Sequence, residues 1–307
     1  MPAMGTFRET FACDGSLRSM AVTSPVTPVA SWVELMDELY RDSWDLSIER
    51  FRSPFVFRGM GIALNDLSTS LQRLGAGHSN IAKLEGHLLR NFRKYAHDDA
   101  ATGDSIWNWL ALAAHHGLPT RLLDWTYSPF VALHFATENL LCYDHDAVIW
   151  CVNHRETNQR LPSELRRELD EEGSNAFTVE MLTRAARTLE KFEALSRKDF
   201  VVFLEPPSLD ARIVNQFALF SLMSRPDRSL DEWLQGNVEL YRKIIIPAKL
   251  KWEIRDKIDQ AGITERMLFP GLDGLTAWLT RYYSRHTGKV EEDVQRERTA
   301  PEQLHRR

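Results

Sequence analysis

Apolar residues fall at helical spacing in Trp32, Leu35, Met36, Leu39 and Tyr40, and Ser31 stands in front of them as a cap. The same period returns from Ile81 to Tyr95, with Leu84, Leu88, Leu89 and Phe92 on one face. Elsewhere the apolar runs are short and continuous, rich in β-branched and aromatic residues, and so predict buried strands. They are Phe55-Val56-Phe57 ahead of Arg58-Gly59, Asp146 to Val152, Asp199 to Leu204, Phe217 to Phe220, and Tyr241 to Ile246. Pro206-Pro207 stop the run from Asp199 to Leu204, and Pro247 stops the run from Tyr241 to Ile246. Residues 61–74 read as a loop and a turn of helix, 98–103 as an exposed connection, and 177–195 as a helix. A short helix is expected at 209–216, with two closing helices at about 248–261 and 271–285.

The densest stretch is 107–136, almost wholly apolar but set with ionisable groups. Trp107 to His115 predicts a helix that ends at Gly117, able to take the left-handed cap, with Pro119 forbidding continuation. Ser128-Pro129 opens a second helix, Ser128 as N-cap and Pro129 in the first turn. Between them lies an extended segment carrying Arg121, Asp124 and Thr126. Ionisable groups in such surroundings must be paired or change protonation, which makes them site candidates.

The pattern predicts an α+β fold in one domain, helix-rich first, with a small mixed or antiparallel sheet later. Residues 1–28 read as a flexible leader, 29–286 as the domain, and 287–307 as a charged, disordered tail. A chain of 307 residues with 43% hydrophobic content can bury a full core. Its net charge of -5 and pI of about 6.1 argue against a broadly basic nucleic-acid binder. Cys13, Cys142 and Cys151 lack metal or disulfide spacing, and no run reaches transmembrane length. A cytoplasmic protein without metal or membrane contact is the expectation; oligomeric state is not legible.

Arg58, following three apolar residues and preceding a glycine, is placed to clamp a phosphate, or else to pair with a carboxylate such as Asp124. His115 and His116 offer a general base or a ribose ligand, against the alternative of helix-end bonding. Neighbours on a helix diverge by about 100°, so His115 is expected to face a cleft with Arg58 and segment 120–128, and His116 to face away. Arg121 and Asp124 read first as an ion pair holding the turn. Ser128 is explained by capping, although a helix N-terminus there also favours an anion. Gln216 stands evenly between site and core.

Phe57-Arg58-Gly59, Ser70-Leu71-Gln72-Arg73 and His115 through Pro129 resemble the FRG domain family, named for its Phe-Arg-Gly motif. The spacing of Arg212 and Gln216 ahead of Phe220, and Leu268 to Leu275, extend the resemblance over about 31–285. This chain departs from the family at Ala114, where Gln is common, and at Phe217-Ala218, where Gln-Gly commonly follows the Gln at 216. A weaker likeness is to ADP-ribosyltransferases, which carry an aromatic-Arg-Gly strand end. Their second motif is similar to Thr126-Tyr127-Ser128 followed by Val131 to Ala136. Ser68-Thr69-Ser70 comes too soon after Arg58 to be that motif.

That likeness implies an ADP-ribosyltransferase-like fold and a nucleotide site for NAD or ADP-ribose. Arg58, His115 and Gln216 would be catalytic, and Arg58, Gly59, Arg121, Asp124, Thr126 and Ser128 would bind the cofactor. The family's catalytic Glu is absent; Gln216 stands in its place, or Glu205 is a displaced acid. The implied activity is ADP-ribose transfer to a macromolecular acceptor, or cleavage of the nicotinamide bond. The alternatives are a non-catalytic nucleotide-sensing or interaction module, and an RNA-targeting toxin or defence component. No Walker or Rossmann glycine loop is present.

Overall fold

The computed structural model describes residues 25–96, 105–208 and 210–285. The 98–103 connection, most of the leader and the 287–307 tail lie outside the described residues. Nine strands form in chain order: β1 Val26–Pro28, β2 Trp44–Asp45, β3 Arg50–Phe51, β4 Phe55–Met60, β5 Leu122–Thr126, β6 Ala147–Asn153, β7 Val201–Leu204, β8 Ala218–Met223 and β9 Tyr241–Ile246. Seven of them make one sheet in the order β1-β9-β6-β4-β5-β8-β7, while β2 and β3 pair separately. Every pairing in the large sheet is antiparallel except β1 with β9.

The fold is α+β, with a mixed sheet as expected, but the sheet is not small and does not belong to the second part. β4 and β5, from the first half, form its centre. β1 corrects the leader boundary: Val26, Thr27 and Pro28 pair with Lys243, Ile244 and Ile245. Proline is tolerated there because β1 is an edge strand.

Both faces of the central strands are covered, which explains their continuous apolar runs. Along β4 and β6, Phe57 and Ile149 pack with Leu35, Ala132, Leu133 and Ile254, while Val56 and Val148 pack with Trp125, Phe203 and Leu219. A third cluster joins β7 and β8 to Trp107, Leu110, Phe177 and Phe192.

The helices that matter for the site are α1 Trp32–Tyr40, α2 Ser70–Leu74, α3 Ile81–Ala96, α4 Ile106–His115 and α5 Pro129–Thr137. α4 ends as its sequence dictates: Gly117 takes φ 81°, and the Leu118 amide donates to the Ala113 carbonyl. The helix expected at 177–195 is two, Val179–Ala185 and Leu189–Glu193. Ala186, with ψ 115°, breaks the run, and Thr188 caps the second piece. No helix among the described residues is long and apolar enough to cross a membrane.

Candidate active site

The sheet opens at its centre. β4 and β5 share a single residue pair, Phe57 with Thr126, before they diverge. Beyond that pair lies a cleft of about 670 Å³. Arg58, Gly59 and Met60 line it from β4, Asp124 and Thr126 from β5, Phe135 and Glu138 from α5 and its end. Leu64, Asn65, Asp66, Ser68 and Arg73 form another wall, and Arg212 and Gln216 close it. Lys251, fully buried, anchors the start of that wall by donating to the carbonyls of Gly61 (2.7 Å) and Cys142 (2.5 Å).

Arg58 and the 120–128 segment do meet. Arg58 Nη1 donates to the Asp124 carbonyl at 2.6 Å. The Asp124 carboxylate lies 4.0 Å away and is 83% exposed, so it is a loose partner. Arg58 Nε is buried and has no partner among the described residues. Burial first, and then Arg73 against the pull of Asp124, lower the guanidinium below its usual range. An anion in the cleft would relieve both effects.

Arg73 donates to the Ser68 carbonyl at 2.5 Å, and the Ser68 hydroxyl and amide hold Asp66 below the usual carboxylate range. Arg212 lies over the Phe269 ring at 5.0 Å. Ser68-Thr69-Ser70 is a helix start: Thr69 caps α2 in a reciprocal box with Gln72.

Several sequence-predicted residues lie elsewhere. His115 does not line the cleft; its Nε2 is 2.7 Å from Asp210 Oδ2. Asp210 caps the helix Ala211–Asn215, which carries Arg212 and runs to Gln216. His115 therefore holds a cleft wall from behind, and the side-chain direction expected from helical divergence alone is wrong. His116 is exposed at the end of α4.

Arg121 does not pair with Asp124. On an extended chain residues three apart point to opposite sides, so Arg121 turns inward while Asp124 turns out. Arg121, 2% exposed, donates through Nε to Glu85 (2.8 Å) and through Nη2 to Glu193 (2.7 Å). Ser128 caps α5 by accepting from the Val131 amide and does not line the cleft. Thr126 lines it, but its hydroxyl donates to the Gln216 carbonyl at 2.7 Å. Gln216 also lines it, with its amide nitrogen tied to the Leu268 carbonyl at 3.0 Å. Glu205 lies outside the cleft and accepts from the Tyr127 hydroxyl at 2.9 Å.

Gly59 has a different reason from close approach to a ligand. A Cβ there would lie 1.8 Å from the Ala132 carbonyl oxygen, so glycine lets β4 sit directly on α5. Phe217 adopts φ 49°. That left-handed turn costs a side chain on the order of 1–2 kcal/mol, and it aims the Phe217 carbonyl at the Tyr127 amide.

Sequence reasoning missed Glu138 and the residues behind it. His134 is fully buried on α5. Arg255 Nη1 lies 2.8 Å from His134 Nδ1. Guanidinium only donates, so Nδ1 accepts and the ring proton sits on Nε2. Among the described residues Nε2 has no hydrogen-bond partner, and it faces Glu138 Oε2 at 3.7 Å. Burial, aided by Arg255, pushes His134 down to about 3. Desolvation pushes Glu138 up to about 7, against the pull of Arg255. The signal in the sequence was the spacing of four between His134 and Glu138, one face of a helix.

The buried histidines set a pH dependence. Burial also holds His154 down, to about 4, against its bond to the Pro54 carbonyl. Both are neutral when folded and charge when unfolded below about pH 6.5. Stability is therefore full above that pH and falls as pH drops toward 4, by up to about 1.4 kcal/mol per pH unit for each histidine. Glu138 acts with the opposite sign between its ordinary value and about 7, partly offsetting this. Denaturant melts across that range should show the fall, and His154→Gln should flatten it.

The structure thus defines an α+β protein with an arginine-bearing cleft at the split of its sheet. Residues 53–144 match the family model of the FRG domain, and the chain carries an FRG domain over that stretch. The match includes Arg58, Asp124, Thr126 and Glu138 but not the wall formed by Arg212 and Gln216. No curated protein and no solved structure matches the chain.

Proposed function

We propose that the cleft binds NAD or ADP-ribose, with Arg58 on the phosphates, in an enzyme that transfers ADP-ribose or releases nicotinamide. The observation that carries this reading is the Arg58 guanidinium. It is fixed at one nitrogen by the Asp124 carbonyl, unpartnered at Nε, and shares a small-molecule-sized cleft with the like charge of Arg73. The aromatic-Arg-Gly strand end and the Thr126 to Ser128 segment, which resemble ADP-ribosyltransferase motifs, point the same way. The acceptor would be water or a nucleophile on a macromolecule.

Calorimetry with NAD and ADP-ribose tests the reading. Arg58→Ala is expected to weaken binding by roughly ten- to a hundredfold, the value of a charge-assisted hydrogen bond. Arg58→Lys should fail nearly as badly, because the planar fork is lost. Since the Asp124 carboxylate is exposed, neither variant should lose more than about 3 kcal/mol of stability. Unchanged affinity in a folded Arg58→Ala protein would falsify the phosphate role.

A second reading, a nucleotide-sensing module without chemistry, is favoured by Gln216. No carboxylate occupies that position, and the amide is engaged with Leu268. Nicotinamide release from NAD separates the two.

A further inference from the structure

We propose that Glu138 is the proton-accepting residue of the cleft, with His134 and Arg255 as its positioning residues. The proposal rests on the nucleotide reading above and supplies the acid that Gln216 does not. Four features of the site place Glu138 in this role.

Glu138 follows the last turn of α5, lines the cleft and remains 44% exposed on its side chain. It shares the cleft with Arg58, Arg212 and Gln216. Behind it, Arg255 fixes the His134 tautomer, so that a buried Nε2–H without another partner is turned to the Glu138 carboxylate. Arg255 is itself held: its Nη2 donates to Asp259 (2.8 Å) and to the Ile263 carbonyl (2.6 Å). Arg281 bonds Asp259 and Glu265 in turn. A chain of buried groups therefore ends at one carboxylate in the cleft.

The charges acting on Glu138 come from each neighbouring element. His134 is neutral on the same helix, Arg255 belongs to Lys251–Gln260, Glu265 to Glu265–Leu268, and Arg212 to Ala211–Asn215. Their sum with desolvation leaves Glu138 titrating at about 7, where a general base works best.

The oxygen of water, or of an acceptor hydroxyl, bonds to C1′ of the nicotinamide ribose. The C1′–N bond breaks, and its electron pair neutralises the pyridinium nitrogen, so neutral nicotinamide leaves. The proton of the attacking oxygen passes to the Glu138 carboxylate, which returns it to solvent.

The test measures nicotinamide release from NAD between about pH 5 and pH 9, together with ADP-ribose affinity by calorimetry. Wild-type release should rise through about pH 7 to a plateau. Glu138→Gln should keep ADP-ribose affinity, release nicotinamide roughly a hundredfold or more slowly, and lose the rising limb. Glu138→Asp should keep the limb at a reduced rate, which a merely structural role would not produce. Unchanged release by Glu138→Gln overturns the assignment and leaves the nucleotide reading standing. A wild-type protein that binds ADP-ribose but releases no nicotinamide overturns the chemistry alone. A wild-type protein that binds neither nucleotide overturns the reading of the cleft and the assignment with it.

Discussion

Arg121→Ala should destabilise the protein by roughly 3–5 kcal/mol, the largest effect expected of any surface-remote polar residue near the cleft. Arg121 and Glu85 are 2% and 1% exposed on their side chains, and Glu193 completes the cluster at 25%. Removing the guanidinium strands the Glu85 carboxylate in the interior, with the Arg121 amide still donating to it. The cluster ties α3 to the start of β5 and to the helix Leu189–Glu193. Urea melts should show a lower midpoint with an unchanged slope. The double replacement Arg121→Met with Glu85→Met should recover most of the loss, because well-packed apolar groups often replace a buried pair without penalty. Ligand affinity measured on folded Arg121→Met/Glu85→Met protein should remain at the wild-type level, since neither residue lines the cleft.

Gly59→Ala should cost about 3 kcal/mol or more, at the upper end of overpacking. The added carbon meets backbone atoms only, Ala132 O at 1.8 Å and Ala136 N at 2.8 Å, so no side chain can turn aside. Either β4 lifts from α5 or the helix shifts. Both movements displace Arg58, the residue before Gly59, and Glu138, at the end of α5. Affinity for ADP-ribose and stability should therefore fall together, whereas Arg58→Lys should lower affinity with a smaller loss of stability. Calorimetry and denaturant melts on both variants distinguish the two patterns.

The elements of the fold were largely legible where a single physical signal dominated. Gly117 and Pro119 end α4, Ser128 starts α5, and the buried strands read as unbroken apolar runs. β1 was not legible, because Val26-Thr27-Pro28 carries turn chemistry and gains its structure from β9. The single helix expected at 177–195 missed the break at Ala186, which only Thr188, as the cap of the second piece, marks in the sequence.

The candidate site was legible in part. The approach of Arg58 to the 120–128 segment followed from polar groups set in apolar strands. The fate of Arg121 did not, because its partners Glu85 and Glu193 are distant in sequence. His115 was drawn away by Asp210, a contact of similar separation. Glu138 was overlooked because its meaning depends on desolvation and on Arg255, neither of which a linear pattern contains.

The single pairing of Phe57 with Thr126 has a mechanical consequence. β1, β9, β6 and β4 form one plate, and β5, β8 and β7 another. One rung of the sheet joins the plates, and the buried cluster of Val56 and Val148 with Trp125, Phe203 and Leu219 also spans them, so a polar strut across the open side helps to set their spacing. The contact from Arg58 to the Asp124 carbonyl is such a strut. A phosphate that recruited the same guanidinium would exchange one strut for another, so occupancy of the cleft would be coupled to the spacing of the plates through that side chain.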